Sequence, residues 1–80
     1  MFFNKEMIMR IKTKDAALLL DVHQKTIQNY MTTGRLPGIS VRHGLSSRFE
    51  FEIDDVLKFA ASNGIIVNQS EYKRLVQLVQ

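Results

Sequence analysis

The chain has 80 residues, no cysteine and a formal net charge of +3 at pH 7, with a sequence pI of about 9.5. This length predicts one domain with a small core, and the lack of cysteine excludes a disulfide framework and a thiolate metal site. The apolar runs are too short to span a bilayer, and residues 1–11 lack the continuous apolar region of a signal peptide. We therefore expect a cytoplasmic protein without a membrane partner.

Charge is distributed unevenly along the chain. Residues 1–14 contain four basic residues and one acid, and residues 35–48 contain three arginines and no acid. Residues 49–57 contain four acids and no base. A switch of sign this sharp predicts one face that meets an anion and another that avoids it. A solvated surface with chance clustering explains the charges alone equally well.

The N-terminal part of the chain predicts a strand and a short helix. Residues 7–11 are β-prone, and we expect residues 1–12 to form an N-terminal arm or short strand. Thr13 is expected to cap a helix over residues 14–20, with Asp15 in its first turn. The apolar stripe of this helix is Ala16, Leu19 and Leu20.

A tight turn and a second helix follow. The turn is expected over residues 21–23, because Asp21 tolerates a left-handed backbone. The helix is predicted from Gln24 to Thr33 and is ended by Gly34. Its apolar face is Ile27, Tyr30 and Met31. Its opposite face carries hydrogen-bonding side chains: Gln24, Lys25, Gln28, Asn29 and Thr32.

After Pro37 the apolar residues recur with a period of two, which is typical of strands. One predicted strand carries Ile39 and Val41. The other carries three residues that we expect in the core rather than as a base-stacking platform: Phe49, Phe51 and Ile53. The polar, glycine-bearing segment 42–48 between them predicts a hairpin loop.

Two further helices are predicted in the rest of the chain. Asp54 is expected to cap a helix over residues 55–62, which Asn63 and Gly64 end. The apolar face of this helix is Val56, Leu57, Phe59 and Ala60.

The last segment, residues 65–80, begins with an ambiguous apolar run and continues into a helix that starts at Asn68 or Ser70. The apolar stripe of that helix is Tyr72, Leu75, Val76 and Val79. A helix this short is not stable in isolation. We therefore expect it to pack on the domain formed by residues 13–64 or to pair with another subunit.

The order of these elements predicts a winged helix-turn-helix, a mainly α fold with a small β-hairpin wing. In this motif the second helix enters the major groove of DNA, where Gln and Asn read adenine and Lys reaches guanine or phosphate. An exposed face rich in amides is unusual for a surface that only keeps a protein soluble. The polar face of the second helix is therefore a candidate DNA-reading surface.

The hairpin loop supplies a second group of candidate DNA contacts, to phosphate or to the minor groove. These wing residues are Arg42, His43, Ser46, Ser47 and Arg48. An ordinary polar hairpin is the alternative interpretation. Lys14 is a further candidate for the DNA backbone, and Arg35 either binds phosphate or caps the C-terminus of the second helix.

The sequence contains no clear metal-binding or catalytic motif. His23 and His43 lack a ligand spacing and cysteine partners, so we predict no metal and no cofactor. The carboxylates between positions 50 and 55 have no nucleophile or metal partner beside them, and they are read as a solvated face with an N-cap. These carboxylates are Glu50, Glu52, Asp54 and Asp55. Without a phosphate loop or an acid–base pair, we do not expect an enzyme.

The segments Ala16–His23, Thr26–Ile27 and Gly34–Pro37 together resemble the excisionase and MerR-type winged helix-turn-helix family. In that family an Ala-Ala-x-Leu-Leu-Gly-Val-Ser run leads into a DNA-recognition helix, which ends at a Gly-Arg-Leu-Pro-like segment. The resemblance covers roughly residues 12–62. Asp21 stands where glycine is usual, and His23 stands where a serine usually caps the helix.

The resemblance implies sequence-specific binding of double-stranded DNA by a small phage or mobile-element protein. Such a protein acts as an excisionase, which bends DNA and directs a recombinase, or as a transcriptional regulator that meets RNA polymerase. A homodimer or a cooperative multimer on DNA is expected to raise the affinity of so small a module. The alternatives are a DNA-recognition subunit in phage DNA packaging and a protein-interaction module that has lost DNA binding.

Overall fold

A computed structural model describes residues 9–77. In this part of the chain there are three strands: β1 (Arg10–Lys12), β2 (Ile39–His43) and β3 (Ser46–Glu52). There are also four helices: α1 (Thr13–Leu20), α2 (Gln24–Thr32), α3 (Ile53–Ser62) and α4 (Gln69–Gln77). The predicted N-terminal strand over residues 7–11 is therefore seen as β1, while residues 7 and 8 lie outside the described residues.

The strands form an antiparallel sheet in the order β1-β3-β2. Ile11 of β1 lies opposite Phe51, and Ser40 of β2 lies opposite Phe49. The predicted hairpin is present, and β1 extends it to a third strand. The domain is thus a small mixed α/β arrangement that is compatible with a winged helix.

One apolar core joins the sheet to all four helices, and α1 contacts the other three helices as well as β1 and β3. The core consists of Ile11, Ala16, Ala17, Leu19, Leu20, Ile27, Leu36, Phe51, Ile53, Val56, Phe59, Ala60 and Leu75. The small residues Ala16 and Ala17 lie on α1, which lets neighbouring elements approach it closely. Within residues 9–77 no helix combines the length and the apolar character needed to cross a membrane.

Helix α1 begins one residue earlier than predicted, so the expected Thr13 cap is wrong. Lys12 occupies the cap position, and its backbone N–H donates to Oδ2 of Asp15 at 3.4 Å. The carboxylate in the first turn thus bonds the backbone of the cap residue, and Thr13 becomes the first helical residue. At the other end Asp21 adopts the predicted left-handed conformation, with φ of 57°.

Helix α2 follows this turn without a side-chain cap. His23 is extended, and its carbonyl accepts the N–H of Thr26 at 2.9 Å. The helix ends at Thr32, one residue before the predicted end. The Thr33 N–H still bonds the Asn29 carbonyl at 3.0 Å, but Thr33 itself has φ of −88° and ψ of 3° and is the cap residue. Gly34 then takes a φ of +77°, which ends the helix as predicted.

The hairpin is tighter than the predicted loop over residues 42–48. Its turn consists of two residues, Gly44 and Leu45, and the flanking residues 42–43 and 46–48 belong to the strands. Phe49 was expected in the core but is 41% exposed. It shares a sheet face with Phe51 but lies two residues farther out toward the tip, where the core residues no longer cover it.

The start of α3 also corrects the prediction. Ile53 was expected in the second strand, but it is the first residue of α3, and Glu52 rather than Asp54 is the cap residue. The Ile53 N–H donates to the Met9 carbonyl at 2.8 Å, which joins the helix start to the chain before β1. Asp54 consequently lies in the first turn, where its negative charge still interacts favourably with the positive end of the helix dipole.

Helix α4 packs on α1. Of the two predicted starts, Asn68 is correct: its Oδ1 accepts the N–H groups of Ser70 at 3.0 Å and Glu71 at 3.3 Å. The Asn68 N–H donates to the Leu19 carbonyl at 2.8 Å, and Leu75 is buried. Residue 79 of the predicted stripe lies outside the described residues, and pairing with another subunit stays a prediction.

Candidate nucleic-acid interface

Helix α2 separates its apolar and polar residues as its sequence period predicts. Ile27 is fully buried, and Tyr30 and Met31 are half-buried against the core. The polar side chains on the other face are all exposed: Gln24, Lys25, Gln28, Asn29 and Thr32. Four of these five side chains carry amide or ammonium groups, so the helix presents hydrogen-bond donors and acceptors to the surroundings.

Lys14 lies near the N-terminal end of this polar face. A shallow groove of about 250 Å³ runs between α1 and the start of α2 and is lined by Lys14, Ala17, Leu18, Val22, His23 and Gln24. The sequence predicts Lys14 as a candidate contact to the DNA backbone, apart from the residues of α2. The groove brings it to the same region as Gln24.

The loop after α2 passes close to the core at Gly38, just before β2. An ideal Cβ at Gly38 would lie 2.6 Å from Sδ of Met31 and 3.2 Å from a ring carbon of Phe51. The chain therefore passes close to α2 just before β2 begins at Ile39. This contact links the base of the hairpin to the polar helix through the half-buried side chain of Met31.

Arg35 is held between α2 and α3. Its guanidinium carbon lies 5.2 Å from the ring centre of Tyr30 and 5.9 Å from that of Phe59, and Nη2 donates to Oδ1 of Asn63 at 3.4 Å. Its backbone N–H donates to the Tyr30 carbonyl at 2.9 Å, so the backbone of Arg35 satisfies a carbonyl at the end of α2. These contacts give the side chain a structural role, and phosphate binding by Arg35 stays a prediction.

The candidate residues of the hairpin divide between the two faces of the sheet. Arg42 and Ser47 lie opposite each other, as do His43 and Ser46, while Arg48 lies opposite Val41. Because neighbouring residues of a strand point to opposite faces, the Arg42 pair lies on one face. His43, Ser46 and Arg48 lie on the other. The five residues therefore form two surfaces that meet at the tip.

Arg48 is engaged with a neighbouring acid. Its Nη2 lies 3.1 Å and its Nε 3.2 Å from Oε2 of Glu50. The sequence contained a signal for this pair, since residues two apart on a strand share a face. Among residues 9–77, no carboxylate lies within ion-pair distance of Arg42.

The segment that builds these surfaces is continuous and cationic. Residues 22–49 contain Lys25, Arg35, Arg42 and Arg48 and no Asp or Glu. The acids follow at once, beginning with Glu50, which lies across the sheet from Lys12 of β1. The negative charge thus lies at the base of the hairpin and at the start of α3.

Sequence reasoning missed the residue at the tip of the hairpin. Leu45 is fully exposed, whereas the tip was predicted from its polar neighbours alone. The signal was an apolar residue beside Gly44 in a turn segment. No group of three His, Asp or Glu suited to a metal ion occurs in the part of the chain that the structure describes.

The chain thus combines a small mixed α/β domain with an exposed polar helix and a cationic hairpin. No protein-family model, curated protein or solved structure matches it. The resemblance to excisionase and MerR-type proteins therefore depends on the sequence segments quoted above.

Proposed function

We propose that this protein binds double-stranded DNA as a winged helix-turn-helix, with α2 in the major groove and the β2–β3 hairpin as the wing. The observation that carries the proposal is the outer face of α2, where all five polar side chains are exposed in a segment without acids. DNA attracts such a segment through its phosphates. The amides then offer the hydrogen bonds that discriminate between bases.

The residues of α2 take different parts in this proposal. Gln24, Gln28 and Asn29 read base edges in the major groove, since paired amide donors and acceptors match adenine. Lys25 contacts guanine or phosphate. Lys14 contacts a phosphate at the edge of the DNA major groove. It is placed there because it lies beside Gln24 in the shallow protein groove between α1 and α2.

The hairpin contributes mainly through Arg42. This arginine is exposed and free of ion pairs within the described residues, so its guanidinium is available for a bidentate phosphate contact. Arg48 exchanges Glu50 for phosphate when it binds, which weakens its contribution. Ser46 already donates its hydroxyl to the His43 carbonyl at 3.1 Å, so it stabilises the tip more than it binds DNA.

In the cell we propose the role implied by the family resemblance, that of an excisionase or a small transcriptional regulator of a phage or mobile element. Both roles use the same DNA-binding surface. A recombinase is the expected partner of the first role and RNA polymerase that of the second. A protein that bends its DNA favours the excisionase, because an architectural factor acts through the path of the duplex.

The test is fluorescence anisotropy with duplexes selected by the protein from a random-sequence library, at two salt concentrations. We expect Gln28→Ala to cost about 1–3 kcal/mol of binding free energy and to relax preference at one base position. Lys73→Ala, which removes an exposed lysine from α4, is the matched control and should bind as the wild type does. Failure of the wild type to bind any duplex at low salt contradicts the proposal.

A further inference from the structure

Leu45 has an accessibility of 104% of its reference value and therefore buries none of its side chain on the protein. It follows Gly44 in the two-residue turn that joins the paired residues His43 and Ser46. Gly44 has φ of +62°, and Leu45 has no positive φ, which is the pattern of a type II′ turn. Gly44 meets the backbone requirement of this turn, so the turn itself does not call for an apolar residue at the next position.

The hairpin carries Leu45 well away from the core. Residues 46–49 of β3 are all exposed, and the fully buried part of that strand is Phe51. The distance along the strand from Phe49 to Leu45 is about 13 Å, at roughly 3.3 Å per residue. Leu45 is thus the apolar end of a projecting, two-stranded ribbon.

The surroundings of Leu45 are cationic. Arg42 precedes it and Arg48 follows it, while the first acid after the turn is Glu50, which already pairs with Arg48. An apolar tip between cations matches a partner with anionic edges and an apolar interior. Duplex DNA has this composition, with phosphates along the rims of each groove and stacked bases between them.

We propose that Leu45 inserts as a wedge between neighbouring base pairs from the minor groove, while Arg42 contacts the adjoining phosphate. The inference depends on the proposed DNA binding. The minor groove is about 6 Å wide, which admits a leucine side chain but not both strands of the hairpin. Apolar wedges of this kind unstack one base step and kink the duplex by about 20–90° toward the major groove.

The test uses the full chain and a short selected duplex with donor and acceptor dyes at its ends and 2-aminopurine at its central steps. Leu45→Ser is compared with Ile66→Ser, which removes another exposed apolar side chain, at 89% accessibility, from the segment after α3. We expect Leu45→Ser to bind about three- to tenfold more weakly. It should also lose the energy transfer of the bent duplex and the 2-aminopurine fluorescence of the unstacked step. Ile66→Ser should match the wild type in all three measurements.

The outcomes separate the wedge from DNA binding itself. If the wild type binds the duplex without bending it, or if Leu45→Ser bends it equally well, the wedge is wrong and the proposed function stands. If Leu45→Ser binds more weakly with unchanged bending, Leu45 is a surface contact and the wedge is also wrong. If the wild type binds no duplex at low salt, both proposals fail. A thermal melt by circular dichroism verifies that Leu45→Ser is folded.

Discussion

The guanidinium of Arg74 in α4 lies 3.2 Å from the carboxylate of Asp15 in the first turn of α1, although the two residues are 59 positions apart in the chain. Arg74 also contacts Glu71 at 2.9 Å. Arg74 donates hydrogen bonds to the carboxylates of Glu71 and Asp15, and these bonds raise the pKa of Arg74 above its ordinary value. Asp15 thus serves both the start of α1 and the docking of α4.

We expect α4 to unfold together with the rest of the domain, because Leu75 is buried against the common core. Leu75→Ala should lower the free energy of unfolding by about 2–5 kcal/mol, as cavity-forming substitutions in cores do. Urea denaturation followed by circular dichroism measures this change. Ile66→Ala, at an exposed position, is the control and should change stability by less than about 0.5 kcal/mol. A small effect of Leu75→Ala would show that α4 is dispensable for folding.

The two arginines of the hairpin should differ in their effect on the salt dependence of DNA binding. If Arg42 contacts one phosphate as proposed, Arg42→Ala should reduce the slope of log K against log salt by about 0.9. Arg48→Ala should reduce it less, because Glu50 neutralises Arg48 in the free protein. Glu50→Gln should restore a full contribution from Arg48 and steepen the slope. Equal slopes for Arg42→Ala and the wild type would show that Arg42 does not contact a phosphate.

Arg35 should affect stability rather than DNA binding. Its guanidinium lies over Tyr30 and Phe59, and cation–π contacts at exposed sites contribute about 0.5–1 kcal/mol. We therefore expect Arg35→Ala to lower the free energy of unfolding by about that amount and to leave the salt slope unchanged. A slope reduced by about 0.9 with unaltered stability would instead assign Arg35 to a phosphate.

Gly38→Ala tests the contact between the hairpin base and α2. The new Cβ would lie 2.6 Å from Sδ and 2.9 Å from Cγ of Met31, so the methionine must move. Overpacking of this kind costs about 1–3 kcal/mol, and we expect the lower end because the Met31 side chain is flexible. In a double-mutant cycle, Met31→Ala should relieve the clash. Gly38→Ala should therefore cost less stability in the Met31→Ala background than in the wild type, which gives a nonzero coupling energy. Strict additivity of the two substitutions would show that the cost of Gly38→Ala does not arise from a clash with Met31.

The sequence was most informative where a local rule decides the structure. Asp21 tolerates φ of 57°, and the helical period alone placed Ile27 inside and Gln28 outside. The three-residue strand β1 was harder to place, because its pairing with β3 is a long-range contact without a local signal. The exposure of Phe49 was missed for a related reason, since alternation tells which sheet face a residue shares but not where the covering helices end.

The starts of α1 and α3 show a further limit of local reasoning. In both helices the cap lies one or two residues before the one predicted from its side chain, because Lys12 and Glu52 are strand residues that lead directly into the helix. The sequence also assigned Arg48 to a DNA contact, and Arg35 to a phosphate or to the C-terminal cap of α2, without the side chains that contact them in the fold. In the folded protein Arg35 lies over the rings of Tyr30 and Phe59, and Arg48 pairs with Glu50. These contacts compete with DNA for the two charges.

Ile27 is the one residue of α2 that is completely buried in the described chain. The helix is therefore anchored by a narrow strip, and its outer residues contribute almost nothing to folding. Under the proposed function, substitutions at Gln24, Gln28 or Asn29 would change which DNA sequence the helix binds while the scaffold stays intact. Such a surface lends itself to rapid divergence and to reprogramming by a combinatorial library confined to those positions.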